Sequence, residues 1–505
     1  MMEFRFDFLR IICQHEHYIP LNLPLDCRAT GELYEYELTD SYCKNHFLCG
    51  LLLRQVSQAL AGGRLIRKMA IRIFRDLLVK HELDVRYSEK EKQSRIAALY
   101  LPFLTVTLEH AGRFPGSHHS EKTWSSSQTI LQASDQNTET ASGSDSYPPS
   151  ISSRTTTIAS LSEAASRINA QVPFDDEETK YLILCMLYIL KNLEQTIVLD
   201  WFKQISSSNS KLNSWNTPFS TLRPQQDKMY SKFSSVIDFF DLLQLSVKHL
   251  QYRGKASITT QSPPKHAVKS YFEQKYQENI RPTRASLKSQ NQAVLYVDSQ
   301  IRVLKEGNFV NELGLVVLDL VELFCCHFRF HLEKDEGNNV VMSKVFGVLL
   351  TFLQVGQSEK MLRHVFASLR SFIHKFPTAL FKGAGEHCGR LIYEVLRCCS
   401  SKLEIVRHQA HSLLYLLMRS NYEFSGGAGC IRVHLQVLVA VSKLIALGQD
   451  GASMSSSLIA LRNYVSGDKV LMYTSLSTEV KDLIKKVHTV LQATSRMKVT
   501  MHVYV

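Results

Sequence analysis

Apolar residues recur at three- and four-residue steps along most of this chain. That period lines one face of a helix and cannot line one face of a strand. Phe47, Leu48, Leu51, Leu52 and Val56 follow it, as do Ile66, Met69, Ile73, Leu77 and Leu78. Similar stripes cover 91–110, 178–203, 230–252, 311–333, 340–354, 358–376, 387–400, 402–420, 430–448 and 477–494. Strand signals are scarce: alternating Val, Ile and Thr runs closed by tight Asn-Gly or Asp-Gly turns do not occur, and Asp450-Gly451 lies between helical segments. Gly254 and Gly448 suit left-handed helix ends, and Pro377 stops the helix that reaches Lys375–Phe376. The spacing predicts an all-α fold.

The C-terminal helices come in pairs. Segments beginning near 340, 387 and 430 are each followed by a second helix, and the starts lie 47 and 43 residues apart. Armadillo and HEAT units repeat at about 40–47 residues. The expectation is an armadillo/HEAT-like helical solenoid with long disordered insertions; an irregular helical bundle is the alternative. A solenoid unit buries its apolar stripe only by stacking on its neighbours, so each end needs a polar cap. This sequence instead opens in an amphipathic segment, Phe4, Phe6, Phe8, Leu9 and Ile12, which predicts a piece of a longer array.

Two stretches break the pattern. Between Ser120 and Ser162 nearly half the residues are Ser or Thr, and Pro148-Pro149 lies among them. Too little apolar surface is available there to offset ordering entropy, so 113–172 is read as a disordered insert rich in phosphorylatable hydroxyls. The second break, 253–310, holds Pro263, Pro264 and Pro282. A weaker one lies at Ser206–Gln226.

Charge follows the same division. The net charge is +12, from 59 basic and 47 acidic residues. Residues 1–252 carry 27 basic and 28 acidic side chains, 253–310 carry ten and four, and 311–505 carry 22 and 15. Segment 253–310 has few aromatics to interleave with its cations (Tyr271, Phe272, Tyr276), so a solvated basic linker fits it better than a nucleic-acid site. No apolar run reaches the length of a bilayer span, and the early acids Glu3 and Asp7 argue against a signal peptide. The eleven cysteines are irregularly spaced with no C-x-x-C, which supports neither a disulfide framework nor a zinc knuckle. A cytoplasmic chain with reduced core thiols is expected.

Several short motifs have catalytic or metal-binding potential. Cys13, His15 and His17 form C-x-H-x-H, but share a face only if extended and have no fourth ligand near in sequence; a structural role fits better than zinc. His327 and His331 have a helical metal-ligand spacing, with Cys325 and Cys326 beside them, yet Phe328 stands where a zincin has Glu. His408 and His411 lie three apart with no clear partner. Gly426-Gly427-Ala428-Gly429 and Lys382-Gly383-Ala384-Gly385 resemble phosphate loops, but the first follows a helix and neither leads into G-K-[ST]; both read as inter-helix turns. Asp175, Asp176, Glu177 and Glu178 sit at a helix start, where acids favour the macrodipole. No nucleophile, base and oxyanion donor stand in a recognisable order. The expected site inventory is therefore no catalytic residue, no cofactor and no metal, which points to binding or scaffolding.

A series of collinear blocks resembles the dedicator-of-cytokinesis (DOCK) family, in its zizimin-type branch. They are Glu3–Arg10 (EFRFDFLR), His15–Pro24 (HEHYIPLNLP), Asn45–Arg54 (NHFLCGLLLR) and Arg95–Pro102 (RIAALYLP). The longest runs from Gly356–Glu359 through His364–Arg370 to Lys375–Pro377 and Phe381–Gly383. Tyr393–Cys399, Leu413–Arg419, Glu479–Ile484 and Gln492–Lys498 complete the series.

This resemblance implies a large multidomain guanine-nucleotide exchange factor for Rho-family small GTPases. In that family armadillo-like repeats lie between a lipid-binding C2-like region and a catalytic region. The chain corresponds to that middle part: helical repeats at 1–112, 173–252 and 311–498, the inserts 113–172 and 253–310, and a divergent tail 499–505. After Lys498 the family continues into its first catalytic lobe, whereas Val499–Val505 departs from it, which predicts a splice-derived or gene-model ending. The nucleotide-expelling residues then have no counterpart here, and the chain alone is expected to be inactive. Expected partners are a Rho-family GTPase through the missing region and a second copy or a full-length relative. No nucleic acid is expected, and a membrane only peripherally through missing regions. The alternative is a stand-alone helical-repeat interaction protein.

Overall fold

The computed structural model describes residues 2–22, 35–116, 172–207, 233–252, 307–383, 385–448 and 451–503. Among the described residues every regular element is a helix. The predicted insert 113–172 therefore lies mostly outside the described residues, as do 253–306 and most of the break at 206–226. The chain divides into two compact units, Met1–Ser246 and Val247–Val505.

The first run of helices is Met2–Gln14 (α1), Tyr18–Asn22 (α2), Asp40–Asn45 (α3), Phe47–Leu60 (α4), Arg64–Leu83 (α5), Lys90–Ala98 (α6), Leu101–Glu109 (α7), Asp176–Asn192 (α8), Gln195–Ser207 (α9) and Ser234–His249 (α10). The long α5 is central and packs against α1, α4 and α8. Its inner stripe of Ala70, Ile71, Phe74, Leu77 and Leu78 is buried. Phe74 meets Phe103 at 4.4 Å and Tyr100 edge-on at 5.5 Å, tying α5 to α7. The stripe over 91–110 is carried by two helices, parted at Leu99–Tyr100, with Pro102 in the first turn of α7. Proline is tolerated there because that N–H has no intrahelical acceptor.

The two ends of the Ser/Thr-rich insert meet. Phe174 N donates to Arg113 O at 2.9 Å. The Arg113 guanidinium donates to the carbonyls of Val172 and Leu60 and lies 4.5 Å from the centre of the Phe174 ring. The helical path thus runs from α7 into α8 across one closed junction.

The second run is 307–327 (α11), Arg329–Glu333 (α12), Val340–Gln354 (α13), Glu359–Lys375 (α14), Pro377–Phe381 (α15), Glu386–Cys399 (α16), Glu404–Phe424 (α17), Ile431–Ala446 (α18), Gly451–Gly467 (α19) and Ser475–Val503 (α20). Helices α13, α16, α18 and α20 contact one another in succession, and so do α14, α17 and α19. Their first residues, 340, 386, 431 and 475, are separated by 46, 45 and 44 positions. This is the two-layer stacking of a helical solenoid, at the period expected from sequence.

Each step of the array has a polar contact at an equivalent place. His387 Nε2 bonds to Gly337 O at 3.2 Å, Arg432 Nη1 donates to Gly383 O at 2.7 Å, and Cys430 N donates to Glu479 Oε2 at 2.8 Å. Those pairs are 50, 49 and 49 positions apart, so the start of each first-layer helix is pinned to the loop one unit earlier. Helix ends follow local chemistry. The Asn339 and Ser358 side chains accept from Met342 N and Met361 N, and cap α13 and α14. Gly448 adopts φ +84° after α18, as its position predicted.

Candidate functional site

The residues singled out in the sequence do not converge. Cys13 is buried on the inner face of α1, and burial pushes its thiol up to about 12, while His15 and His17 are exposed in the following turn. His327 and His331 lie on different helices, because the backbone breaks at Phe328 (φ −111°, ψ 24°). Phe328 stacks on Phe324 at 4.6 Å with the rings nearly parallel. Cys325 points inward, while the exposed Cys326 accepts from Lys375 Nζ at 3.1 Å. Among the described residues no three His, Cys, Asp or Glu side chains are grouped so as to hold a metal.

His411 is buried and bonded through Nε2 to Ser457 Oγ at 3.0 Å, so it links α17 to α19. Burial first, then His408 and Arg407, lowers its pKa to about 4. His81 bonds to the Tyr100 hydroxyl at 2.7 Å, and burial, with Lys80 adding to it, lowers it to about 3. Both folded-state values lie below the ordinary 6.5, so between pH 6.5 and 4 the unfolded chain binds protons that the folded chain refuses. This stability is present in full above pH 6.5 and is lost as pH falls through that window. Denaturant midpoints measured from pH 7.5 downward are expected to fall accordingly, and less steeply in His411→Gln; an unchanged slope would remove His411 from the explanation.

Neither glycine loop is a phosphate cradle. Gly426 N and Gly427 N donate to Glu423 O and Tyr422 O. Lys382 O and Gly383 O accept from Arg432, so that loop presents acceptors to a cation. The acidic start of α8 is also structural. Asp175 and Glu178 form a reciprocal capping box, and Glu178 pairs with the buried Arg67. Arg64 and Lys68 contact Asp175, and Arg72 and Lys68 contact Glu177. With these hydrogen bonds the Asp175 carboxyl is held well below the usual carboxylate range, although burial opposes them.

The site that sequence reasoning missed is a surface groove of about 700 Å³ across α13, α16 and α18. Leu350, Val439, Ala440 and Leu447 give it an apolar lining, and Gln354, Arg390, Tyr393, Gln436 and Lys443 surround them. Helices α16 and α18 approach closely at Gly389, where a Cβ would lie 2.5 Å from Gln436 Oε1. Glu394 is already committed: it accepts from Gln354 Nε2 at 2.9 Å and from Arg397 Nε at 2.8 Å. The missed signal is a second stripe on α18, where Ile431, Leu435, Val439 and Leu447 are exposed although Val433, Val437, Val441 and Leu444 fill the core.

Comparison with known proteins settles the family. The chain is 32% identical to mouse dedicator of cytokinesis protein 9 over 561 residues, which cover 99% of the chain. It belongs to the dedicator-of-cytokinesis family. It is also 33% identical over 567 residues to zebrafish (Danio rerio) dedicator of cytokinesis protein 11, and 46% identical over 166 residues, 32% of the chain, to rat dedicator of cytokinesis protein 9. Similarity to proteins 9 and 11 fits the zizimin-type branch of this family. The chain spans about a quarter (26%) of the length of the mouse and zebrafish relatives. No family model and no solved structure matches it. Among the described residues no helix is long and apolar enough to cross a membrane.

Proposed function

We propose that this chain is the helical scaffold of a DOCK-family guanine-nucleotide exchange factor for Rho-family small GTPases. In this reading it spaces a lipid-binding region from a catalytic region and has no exchange activity by itself. The supporting observation is that 99% of the chain aligns with one contiguous quarter of its DOCK relatives. The stacked pairs α13/α14 and α16/α17 suit a spacer, since each unit is pinned to the one before it. The repeats fill 1–112, 173–252 and 311–498, and the segments between them are inserts. This reading assigns no catalytic, cofactor or metal-binding residue to the chain. The protein works in the cytoplasm, reaches its GTPase and any membrane through other parts of a longer molecule, and does not engage nucleic acid.

A second reading, a short stand-alone interaction protein that pairs with a copy of itself or with a full-length relative, is favoured by the open groove on α13, α16 and α18. An antibody raised to residues 356–420 separates the two in an immunoblot of the native source. The first reading expects a band several times larger than 57.6 kDa. A sole band at 57.6 kDa would reject it in favour of the second.

A further inference from the structure

We propose that the groove across α13, α16 and α18 docks an acidic peptide segment of a partner protein, one that alternates apolar side chains with carboxylates. This goes beyond the scaffold reading, which assigns no occupant to any face of the array.

Three observations carry it. First, the groove has an apolar lining that the fold itself leaves open. Val439 and Leu447 are 47% and 74% exposed, and they join the buried Leu350 and Ala440 in one surface depression. Contiguous exposed apolar surface with a polar rim is a mark of interaction sites. Second, the depression crosses three consecutive first-layer helices, so it runs along the array. Extended surfaces of this kind suit an extended chain, whereas a small molecule is better held by a closed cavity.

Third, with Glu394 neutralised by Arg397, the groove keeps a net positive charge. Arg390 and Lys443 line the groove, and Lys443 has no ion-pair partner among the described residues. Of the two lining carboxylates, Glu394 is buried and satisfied by Arg397 and Gln354. Glu386 is exposed and lies 3.9 Å from Arg390, a loose surface pair that a partner carboxylate can displace. Two cations are thus available beside an apolar lining, within a segment (311–505) that carries 22 basic and 15 acidic residues. Carboxylates on a partner meet complementary potential there, and cations do not. The amides of Gln354 and Gln436 supply further donors and acceptors for a peptide backbone.

The test uses the full 505-residue chain and three fluorescein-labelled peptides, made of repeated Leu-Glu-Ser, Leu-Lys-Ser and Ser-Glu-Ser. Fluorescence anisotropy is expected to give binding of the Leu-Glu-Ser peptide about tenfold tighter than either of the others, a preference that weakens with added salt. Both Arg390→Glu/Lys443→Glu and Val439→Asp change groove-lining side chains away from the core, and circular dichroism checks that the helices persist. The charge reversal is expected to transfer the preference to the Leu-Lys-Ser peptide, and Val439→Asp to abolish Leu-Glu-Ser binding. Equal binding of all three peptides would overturn the proposal, as would a preference that survives the charge reversal. A concentration-dependent dimer that is dispersed by Val439→Asp and unaffected by peptide would overturn it too, by assigning the groove to a second copy.

Discussion

Arg67→Ala is expected to destabilise the first unit by about 3–5 kcal/mol, the cost of removing one partner from a buried ion pair. Arg67 and Glu178 are each 1% exposed, and they bond through Nε–Oε1 at 3.0 Å and Nη2–Oε2 at 3.2 Å. Arg67 Nη1 also donates to Val172 O, and the guanidinium lies 5.5 Å from the centre of the Phe174 ring. Alanine would strand the Glu178 carboxylate in a dry site and loosen the junction where the insert leaves and re-enters the helices. Chemical denaturation followed by circular dichroism reads the effect, as an early transition from the Met1–Ser246 unit. The control is Arg67→Met/Glu178→Leu, which removes both charges and keeps the volume. It should cost less than Arg67→Ala, retaining mainly the loss of the capping box, about 1 kcal/mol. A double variant less stable than the single one would mean that the unpaired Glu178 carboxylate is not the source of the loss. The neighbouring surface contacts from Arg64 and Arg72 should matter little when removed singly, because solvent screens them.

Phe346→Ala is the second large effect, about 3–5 kcal/mol for a fully buried aromatic ring. Phe346 sits on α13, stacks on Phe372 of α14 at 5.2 Å, and meets His387 of α16 edge-on at 5.3 Å. It therefore joins both layers of one unit to the next. Stability in a stacked array is a sum of unit and interface terms, and this substitution weakens both kinds. Within the array of α13–α20, limited proteolysis is expected to cut first between 340 and 399, while the α18–α20 end stays protected for longer. Uniform cutting along the whole array would show that its units do not behave as separable steps.

These two sites differ in how far the sequence foreshadows them. Phe346 lies on an apolar stripe with the right period, so its burial was legible. The starts read at 340, 387 and 430 fall within a residue of the observed 340, 386 and 431, because period, caps and Pro377 all act locally. Arg67 was not legible. It lies 111 positions from Glu178, and nothing local distinguishes it from Arg64, Lys68 or Arg72 on the same helix. The break at Phe328 was missed because no Gly or Pro marks it. The groove was hidden because α18 is apolar on two faces, and sequence alone does not say which face a neighbouring helix covers. The histidine and glycine motifs were legible as weak candidates, and the folded chain uses His411, the acids at the start of α8 and both glycine loops for helix-to-helix contacts.

In the proposed reading, this stretch of a DOCK protein supports exchange without performing it. Release of a fluorescent GDP analogue from a panel of purified Rho-family GTPases, with the 505-residue chain added at micromolar concentration, tests that most directly. Release at the spontaneous rate is expected for every GTPase. Acceleration of any one of them would place exchange chemistry inside the helical array and contradict the account.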